Sequence, residues 1–427
     1  MELDLTPHQR HRAALAALLG NALEWYDFAV YGYVASDLGT VFFPAVIPGL
    51  QTLAAFGVFA VGYLMRPVGS IVLGPLGDLL GRRLMLSLSI VIMGLASLLI
   101  GLLPTHAQIG ASAAVLLVLL RMVQGFSVGA EFTGSITYAT EAAAQGREGT
   151  LSSLAVAGGL LGFSFGSLTG AVIGWSLGAA AMASWGWRLP FLLGAVVAAV
   201  GLWMRRAMPE TLPPEDDAPP LHDLGDLSAA VLWRLRQMFG EWRLVLQVIA
   251  LVSFANVIFY LAFVYLVDLS GQRSGNAAAA NTIATVIQTA GLLLAIWGGR
   301  LADRHGMVPV NRWDNLVLVV LTPIGLLIGL QGQLMHLALA QLLLVAPLMV
   351  TLGAQGVLGV KLAPQRQRCA VFSIAYSLAM ALFAGTAPLV ASWLAEQQWS
   401  ALTIPYTLIY GAAALITVQR IRYAGVR

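Results

Sequence analysis

The segment NALEWYDFAVY, residues 21–31, places two carboxyl side chains, Glu24 and Asp27, inside a long apolar stretch. Tyr31 follows them, and the spacing i, i+3, i+7 puts all three side chains on one face of a helix. A carboxyl group that is shielded from water can bind and release a proton near neutral pH. The pattern therefore predicts reversible proton binding in an apolar environment, with a permanent ion pair to an arginine as the structural alternative.

Two arginines in other apolar stretches are the natural partners of these acids. Arg66 and Arg121 each lie well inside a hydrophobic run. A guanidinium group can hold a carboxylate through two parallel hydrogen bonds, so either arginine is a candidate to bind an anionic group of a substrate. Either could instead be the buried partner of Glu24, Asp27 or Glu131, and both interpretations stay open.

The composition identifies the solvent that surrounds these residues. Of the 427 residues, 59% are hydrophobic and only 10% are charged, and the mean hydropathy is +0.81. A soluble domain carries about 25% charged residues. So few charges cannot cover a surface that faces water, and the chain is therefore expected to lie in a lipid bilayer.

The apolar residues form twelve stretches, each long enough to cross a bilayer as a helix. They lie near residues 13–36, 52–74, 84–103, 112–141, 149–175, 188–206, 242–268, 278–302, 313–331, 334–360, 367–395 and 401–421. The longest connection, 207–240, is rich in proline and acidic residues. The sequence thus predicts an all-α membrane protein in which a bundle over 1–206 and a bundle over 241–427 are joined by a linker over 207–240.

The arginines indicate how such a chain is oriented. Nearly all basic residues fall on one side of a twelve-span arrangement, the exceptions being Arg188 and Arg273. Loops that are rich in lysine and arginine remain in the cytoplasm. Both termini are therefore expected on the cytoplasmic side of the membrane.

A motif recurs in the two predicted halves. GPLGDLLG (74–81) and GRLADRHG (299–306) both match G-x-L-x-D-x-x-G, which gives Asp78 and Asp303 equivalent positions. Two related six-helix halves are an architecture of many secondary transporters, whose substrate site lies at the midplane between the halves.

Several motifs carry a resemblance to a known family. GPLGDLLGRR and RMVQGFSVGAE (121–131) resemble signatures of the major facilitator superfamily, and NALEWYDFAVYG, LMRPVG, WGWRLPF and FAGTAPL are similar to its metabolite–proton symporters. The first half looks most like carriers of proline and betaine. The resemblance implies proton-driven uptake of a small carboxylate-bearing solute, either such a zwitterion or an organic acid, by a carrier that alternates access. It implies a monomer whose partners are substrate, protons and lipid, with neither a cofactor nor nucleic acid.

With this resemblance, the polar residues of the spans divide into three predicted groups. The residues expected to couple transport to protons are Glu24, Asp27, Arg121 and Glu131. Those expected to contact substrate are Tyr31, Arg66, Gln124, Asn256, Tyr260, Gln355 and Tyr376. Those expected to form a cytoplasmic gate are Asp78, Arg82, Arg83, Asp303 and Arg304.

The second-half gate departs from the family's pattern. The segment KLAPQRQR has Lys361 where the family usually has an acid, and Met307 and Val308 replace a basic pair. Fewer charged partners are therefore expected around Asp303 than around Asp78.

Other classes of function find less support in the sequence. The six histidines have no metal-binding spacing, and the sequence contains neither a phosphate-binding loop nor a nucleophile–base pair, so an enzyme is not expected. Two alternatives to uptake remain, a proton-coupled exporter and a membrane sensor built on a transporter fold. The absence of a Gly-Pro pair from GSLTGAVIG (166–174) favours symport over drug–proton exchange.

Overall fold

The computed structural model describes residues 7–44, 50–206, 210–211 and 224–421, and this part of the chain is helical with no β-strand. Twelve long helices account for most of it. They are α1 (Pro7–Tyr33), α2 (Leu50–Leu79), α3 (Arg82–Leu102), α4 (Ser112–Ala142), α5 (Glu148–Ala181), α6 (Arg188–Arg205), α7 (Trp242–Tyr260, continued by Leu266–Ser274), α8 (Ala277–His305), α9 (Met307–Gly329), α10 (Leu334–Leu362), α11 (Arg368–Ala379, continued by Ala387–Glu396) and α12 (Thr403–Arg420). A linker helix, Leu224–Gly240, precedes α7.

The lengths and surfaces of these helices fit a bilayer. In the described part of the chain, nine helical segments are long and apolar enough to cross a membrane, and α6 contributes a shorter apolar helix, Arg188–Trp203. With α1 and α2, these make twelve. Large apolar side chains cover the outside, including Trp175, which is 90% exposed, and Leu293, which is 70% exposed. The predicted all-α membrane fold with twelve spans is confirmed.

The helices pack as two bundles, α1–α6 and α7–α12. In the first half, α1 packs on α5, α2 on α4, and α3 on α6; in the second half, α8 and α9 pack on α10, and α7 on α12. The halves meet along two equivalent seams, where α2 contacts α11 and α5 contacts α8.

Close approach of α5 fixes the position of α1, the helix that carries the two acids. A side-chain carbon added at Gly158 or Gly162 would collide with the backbone carbonyl of Leu18 or Ala22. The two backbones are thus in direct contact, as small residues allow in membrane helices.

The recurring motif has a structural reason at its final glycine. Gly81 between α2 and α3 has a φ of 105°, and Gly306 between α8 and α9 has a φ of 90°. Residues with a β-carbon rarely adopt this backbone conformation. The glycine therefore permits the tight turn that follows Asp78 in one half and Asp303 in the other.

Both turns lie on the side of the bundle where α1, α3 and α9 begin. This side also carries Arg83, Arg206 and Arg304, which are exposed. We call it the basic face.

Candidate functional site

A central cavity lies between the two halves and is lined by residues of both. Six of its thirteen lining residues are aromatic. The lining residues are Trp25, Phe132, Val156, Gly159, Leu160, Phe163, Asn256, Phe259, Tyr260, Gln288, Leu352, Tyr376 and Met380. Three of the predicted substrate contacts, Asn256, Tyr260 and Tyr376, therefore line the cavity, whereas Gln355 is buried outside this lining.

Hydrogen bonds hold the polar edge of the cavity in place. The Tyr376 hydroxyl donates to Asn256 Oδ1 at 3.1 Å, and the Tyr260 hydroxyl donates to the Tyr63 hydroxyl at 3.2 Å. Because Tyr63 belongs to α2 and Tyr260 to α7, the second bond joins the two halves. Turns of π-helix follow Tyr260 in α7 and Ala379 in α11, and such irregularities are frequent at functional sites.

Arg66 lies directly behind the aromatic wall. Its guanidinium carbon is 5.9 Å from the ring centre of Trp25 and 5.6 Å from that of Tyr63. Its Nη2 atom is 3.6 Å from Glu24 Oε1, with both side chains buried, a separation too long for a strong hydrogen bond. Within the described residues, Arg66 Nε and Nη1 and both Glu24 oxygens have no hydrogen-bond partner. The Arg66 guanidinium, which has unused hydrogen-bond donors, is thus separated from the cavity by the side chain of Trp25.

Asp27 is connected to Arg121 through two neutral side chains. Asp27 Oδ2 accepts a hydrogen bond from the Ser97 hydroxyl, which accepts one from Gln124 Nε2 at 2.8 Å. Arg121 Nη1 donates to Gln124 Oε1 at 2.6 Å. This chain of hydrogen bonds connects α1, α3 and α4 through the Asp27 carboxyl group.

The surroundings of Arg121 place two predicted substrate contacts outside the cavity lining. The Arg121 guanidinium lies 4.0 Å from the ring centre of Tyr31, and the Tyr31 hydroxyl donates to the Ala55 carbonyl at 3.1 Å. Tyr31 and Gln124 both belong to this charged network of the first half rather than to the lining.

Glu131 has a partner that the sequence did not suggest. Arg205, at the end of α6, donates to both carboxylate oxygens of Glu131 and to the Leu86 carbonyl. Arg205 is only 1% exposed, although a basic residue at the end of a span usually faces water. Its position within the apolar stretch 188–206 is the one signal of burial that the sequence offers.

The first basic-face cluster consists of Asp78, Arg82 and Glu141 with the start of α11. Asp78 accepts hydrogen bonds from Arg82 at 2.5 Å and from the backbone N–H groups of Cys369 at 3.2 Å and Ala370 at 2.8 Å. Arg82 also pairs with Glu141 at 3.2 Å. Asp78 of the first half thus caps a helix of the second half, where the helix dipole favours an anion.

The second basic-face cluster consists of Asp303 and Lys361 with the start of α5. Asp303 accepts hydrogen bonds from Gly149 N at 2.6 Å, Thr150 N at 2.8 Å and the Thr150 hydroxyl at 2.5 Å. Lys361 pairs with Glu148 at 2.7 Å. Backbone amides and a hydroxyl thus take the place of charged groups around Asp303. Lys361 stands where the family usually has an acid, and the acid of this ion pair is Glu148 on α5.

The remaining gate candidates lie at the edges of these clusters. Glu210 at the start of the linker accepts from Arg82 N at 2.9 Å and from Arg83 N at 3.2 Å. Arg83 also donates to the Arg206 carbonyl at 2.8 Å. Arg304 is exposed next to Asp303.

Two six-helix halves that enclose a cavity and are tied together on one face define a secondary transporter. The chain belongs to the Major Facilitator Superfamily, whose sequence model matches residues 13–360. The resemblance predicted from the motifs is therefore confirmed.

Relatives in the superfamily match almost the whole chain. The glycine betaine/proline/ectoine/pipecolic acid transporter OusA of Dickeya dadantii is 33% identical over 95% of this chain and 82% of its own length. The ectoine/proline transporter ProP of Corynebacterium glutamicum is 34% identical over 93% and 81%, respectively.

Solved structures show the same fold. The proton:xylose symporter XylE bound to 6-bromo-6-deoxy-D-glucose has a TM-score of 0.78 at 18% identity, covering 97% of this chain and 95% of its own. The human organic anion transporter MFSD10 has a TM-score of 0.66 at 20% identity, covering 97% and 99%.

Proposed function

We propose that the protein is a proton-coupled symporter that takes up a small carboxylate-bearing solute, with the basic face in the cytoplasm of a bacterial inner membrane. The observation that carries the proposal is the buried Arg66–Glu24 pair beside an aromatic cavity. The relatives named above, which transport proline, betaines and ectoine, make a zwitterion the favoured substrate.

The cavity offers complementary chemistry for the two ends of a zwitterion. Aromatic faces attract ammonium and quaternary ammonium groups, and Trp25, Phe132, Phe259 and Tyr376 supply such rings. Arg66, behind Trp25, has donors available for a carboxylate. A solute of this kind would place its cation among the rings and its carboxylate towards α2.

Competition for Arg66 would couple the solute to a proton. While Glu24 is ionised, its negative charge repels a substrate carboxylate and competes with it for the attraction of the guanidinium. A proton bound to Glu24 removes this competitor, so proton and solute bind together more favourably than either binds alone. Thermodynamic linkage requires the effect to be reciprocal.

Asp27 would transmit a proton to the helices. The Ser97 hydroxyl donates to the ionised carboxylate, and protonation weakens this charge-assisted bond. The Gln124 and Arg121 contacts depend on the same chain. Protonation would therefore loosen α1 from α3 and α4 and permit the halves to move.

The two basic-face clusters would control access from the cytoplasm. Each ties one half to the first turn of a helix in the other half. Opening the cavity towards the basic face requires both seams to separate, as in rocking of one bundle against the other.

Transport assays in proteoliposomes test the proposal. With the lumen alkaline and the membrane potential clamped, we expect radiolabelled proline or glycine betaine to accumulate above the external concentration and a protonophore to abolish accumulation. A panel with α-ketoglutarate and citrate distinguishes zwitterions from organic acids. Exchange that occurs without accumulation under any gradient would contradict proton coupling, and the absence of both for every solute would favour a sensor.

A further inference from the structure

A second, smaller gap lies entirely inside the first half, between α1, α3, α4 and α6. Three carboxyl groups border it, from Glu24, Asp27 and Glu131, together with Ser89 and Ser127. It has room for about one water molecule. No residue of the second half lines it, so it is separate from the central cavity.

Two of the three carboxyl groups at this gap have oxygens that receive no hydrogen bond from the described residues. Both oxygens of Glu24 and Oδ1 of Asp27 are buried without a partner in the described part of the chain. Such groups are rarely left unsatisfied, because their desolvation is costly. Water in the gap would supply the missing donors.

The gap extends from the level of Asp27 towards the basic face. Two contacts of helix α3 give the distance along its axis. Ser97 bonds Asp27, and the carbonyl of Leu86 accepts a hydrogen bond from Arg205. At ~1.5 Å per residue these two levels are roughly 16 Å apart. Arg206, the neighbour of Arg205, is exposed, so the lower end of the column of acids lies near the basic face, with Glu131 itself 3% exposed.

Arg205 is held where it can control that lower end. Its guanidinium bonds both oxygens of Glu131 and packs on α1 at Gly20, where a side chain would collide with it. This position orients the Glu131 carboxylate beside the gap, at the end nearer the basic face.

We propose that the transported proton leaves the first half through this gap, with Glu131 as the last acceptor and Arg205 as the residue that positions it. A protonated Glu24 gives its proton to the water in the gap, and that water passes a proton to Glu131. Glu131 then releases it to water at the basic face and returns to Arg205. Only protons move, and each carboxyl group ends as it began.

This route rests on the proposed proton coupling and adds a separation of pathways. The solute leaves between the halves, whereas the proton leaves inside one half. Blocking the gap should therefore stop proton movement without stopping solute exchange.

Variants of Glu131 and of the gap wall test the route in purified, reconstituted protein. We expect Glu131→Gln to reduce substrate-driven proton movement at least tenfold, while counterflow of proline or glycine betaine stays within about twofold of wild type. Ala198, which lines the gap, provides a variant that leaves every charge in place. Ala198→Val should slow proton movement severalfold, whereas Ala199→Val, at the exposed neighbouring position of α6, should not.

Variants of Arg205 separate positioning from general structure. Arg205→Lys keeps a cation beside Glu131 and should retain most proton movement, whereas Arg205→Gln should lose it with counterflow preserved. If wild-type protein moves solute without protons, the proposed function itself fails. If wild type moves protons and Glu131→Gln and Ala198→Val do so at the wild-type rate, the route is wrong and the symport proposal survives.

Discussion

The two halves share a fold but differ in where they bury charge. Among the described residues, Glu24, Asp27, Arg66, Arg121, Glu131 and Arg205 are all buried inside the first half. In the same part of the chain, the buried polar groups of the second half are neutral, for example Asn256, Gln288 and Gln355. One half thus contains a network of ionisable groups, and the other contains amides and hydroxyls.

This difference indicates a division of labour. Burying an ion costs several kcal/mol unless it is well paired, so a set of buried ions is poorly explained by stability alone. Neutral polar groups cost less and can contact a solute without competing for protons. We infer that the first half handles the proton and the anionic end of the solute, while the second half shapes the opposite wall of the cavity.

Neutralising one acid in each half gives the largest expected contrast. With a gradient of about two pH units, one proton per solute can drive about hundredfold accumulation, since each tenfold step needs ~1.4 kcal/mol. We expect Asp27→Asn to lower the accumulation ratio to about one while exchange partly survives. The matched change in the second half is Asp314→Asn. Asp314 is a half-buried acid that accepts a hydrogen bond from Thr351, and we expect the Asp314→Asn variant to accumulate solute like wild type. Uphill uptake by Asp27→Asn would remove Asp27 from the mechanism.

Arg66→Lys should have the next largest effect. Lysine keeps the charge but loses the planar fork, so two-point contact with a carboxylate is lost. At about 1.5–3 kcal/mol for a hydrogen bond to a charged group, we expect the Kd to rise roughly tenfold or more in binding assays on purified protein. Arg188→Lys is the control, because Arg188 bonds the Gly101 and Leu103 carbonyls outside the cavity lining. Unchanged affinity in Arg66→Lys would make the arginine structural.

The two halves can also be compared at the basic face, through the Asp78 cluster and the Asp303 cluster. Asp78 is 1% exposed and bonded to a buried arginine, whereas the Asp303 cluster is partly accessible to water, which can replace lost contacts. We expect Asp78→Asn to raise the ratio of cytoplasm-open to closed carrier about tenfold and Asp303→Asn about twofold to threefold. Accessibility of single cysteines from each side, in a Cys369→Ser background, measures this ratio. Equal shifts, or a larger one for Asp303→Asn, would contradict the asymmetry.

The smallest expected effect concerns the uncharged side of the cavity, which the second half contributes. Tyr376→Phe removes the hydroxyl that donates to Asn256 and keeps the ring. A neutral hydrogen bond contributes about 0.5–1.5 kcal/mol, so solute affinity should fall severalfold, with the number of protons moved per solute unchanged. Loss of coupling in Tyr376→Phe would show that the second half also handles the proton.

Local patterns in the sequence predicted the features that depend on spacing. Glu24 and Asp27 share a helix face because they are three residues apart, and the repeated motif identified Asp78 and Asp303 as equivalent before either was seen to cap a helix. The glycine that ends the motif also indicates a tight turn, because the positive φ that it allows depends only on the local backbone.

Pairings between distant helices were not predictable in this way. Glu131 and Arg205 are 74 residues apart, and Arg205 lies at the end of an apolar stretch, where ordinary basic flanking residues are also found. Asp303 is expected to have fewer charged partners than Asp78, but the backbone amides of α5 that bond it instead leave no side-chain pattern in the sequence. Tyr31 and Gln124 are polar residues within spans, but which groups they meet depends on how α1, α3 and α4 pack.

Substrate-induced proton movement tests the division of labour most directly. Proteoliposomes with no pH gradient and a clamped potential receive proline or glycine betaine, and a pH-sensitive dye follows the external medium. We predict that wild-type protein alkalinises the medium as solute enters, that Asp314→Asn does the same, and that Asp27→Asn gives no pH change although it still exchanges solute. Solute entry without a pH change in wild type, or a wild-type pH change in Asp27→Asn, would contradict the account.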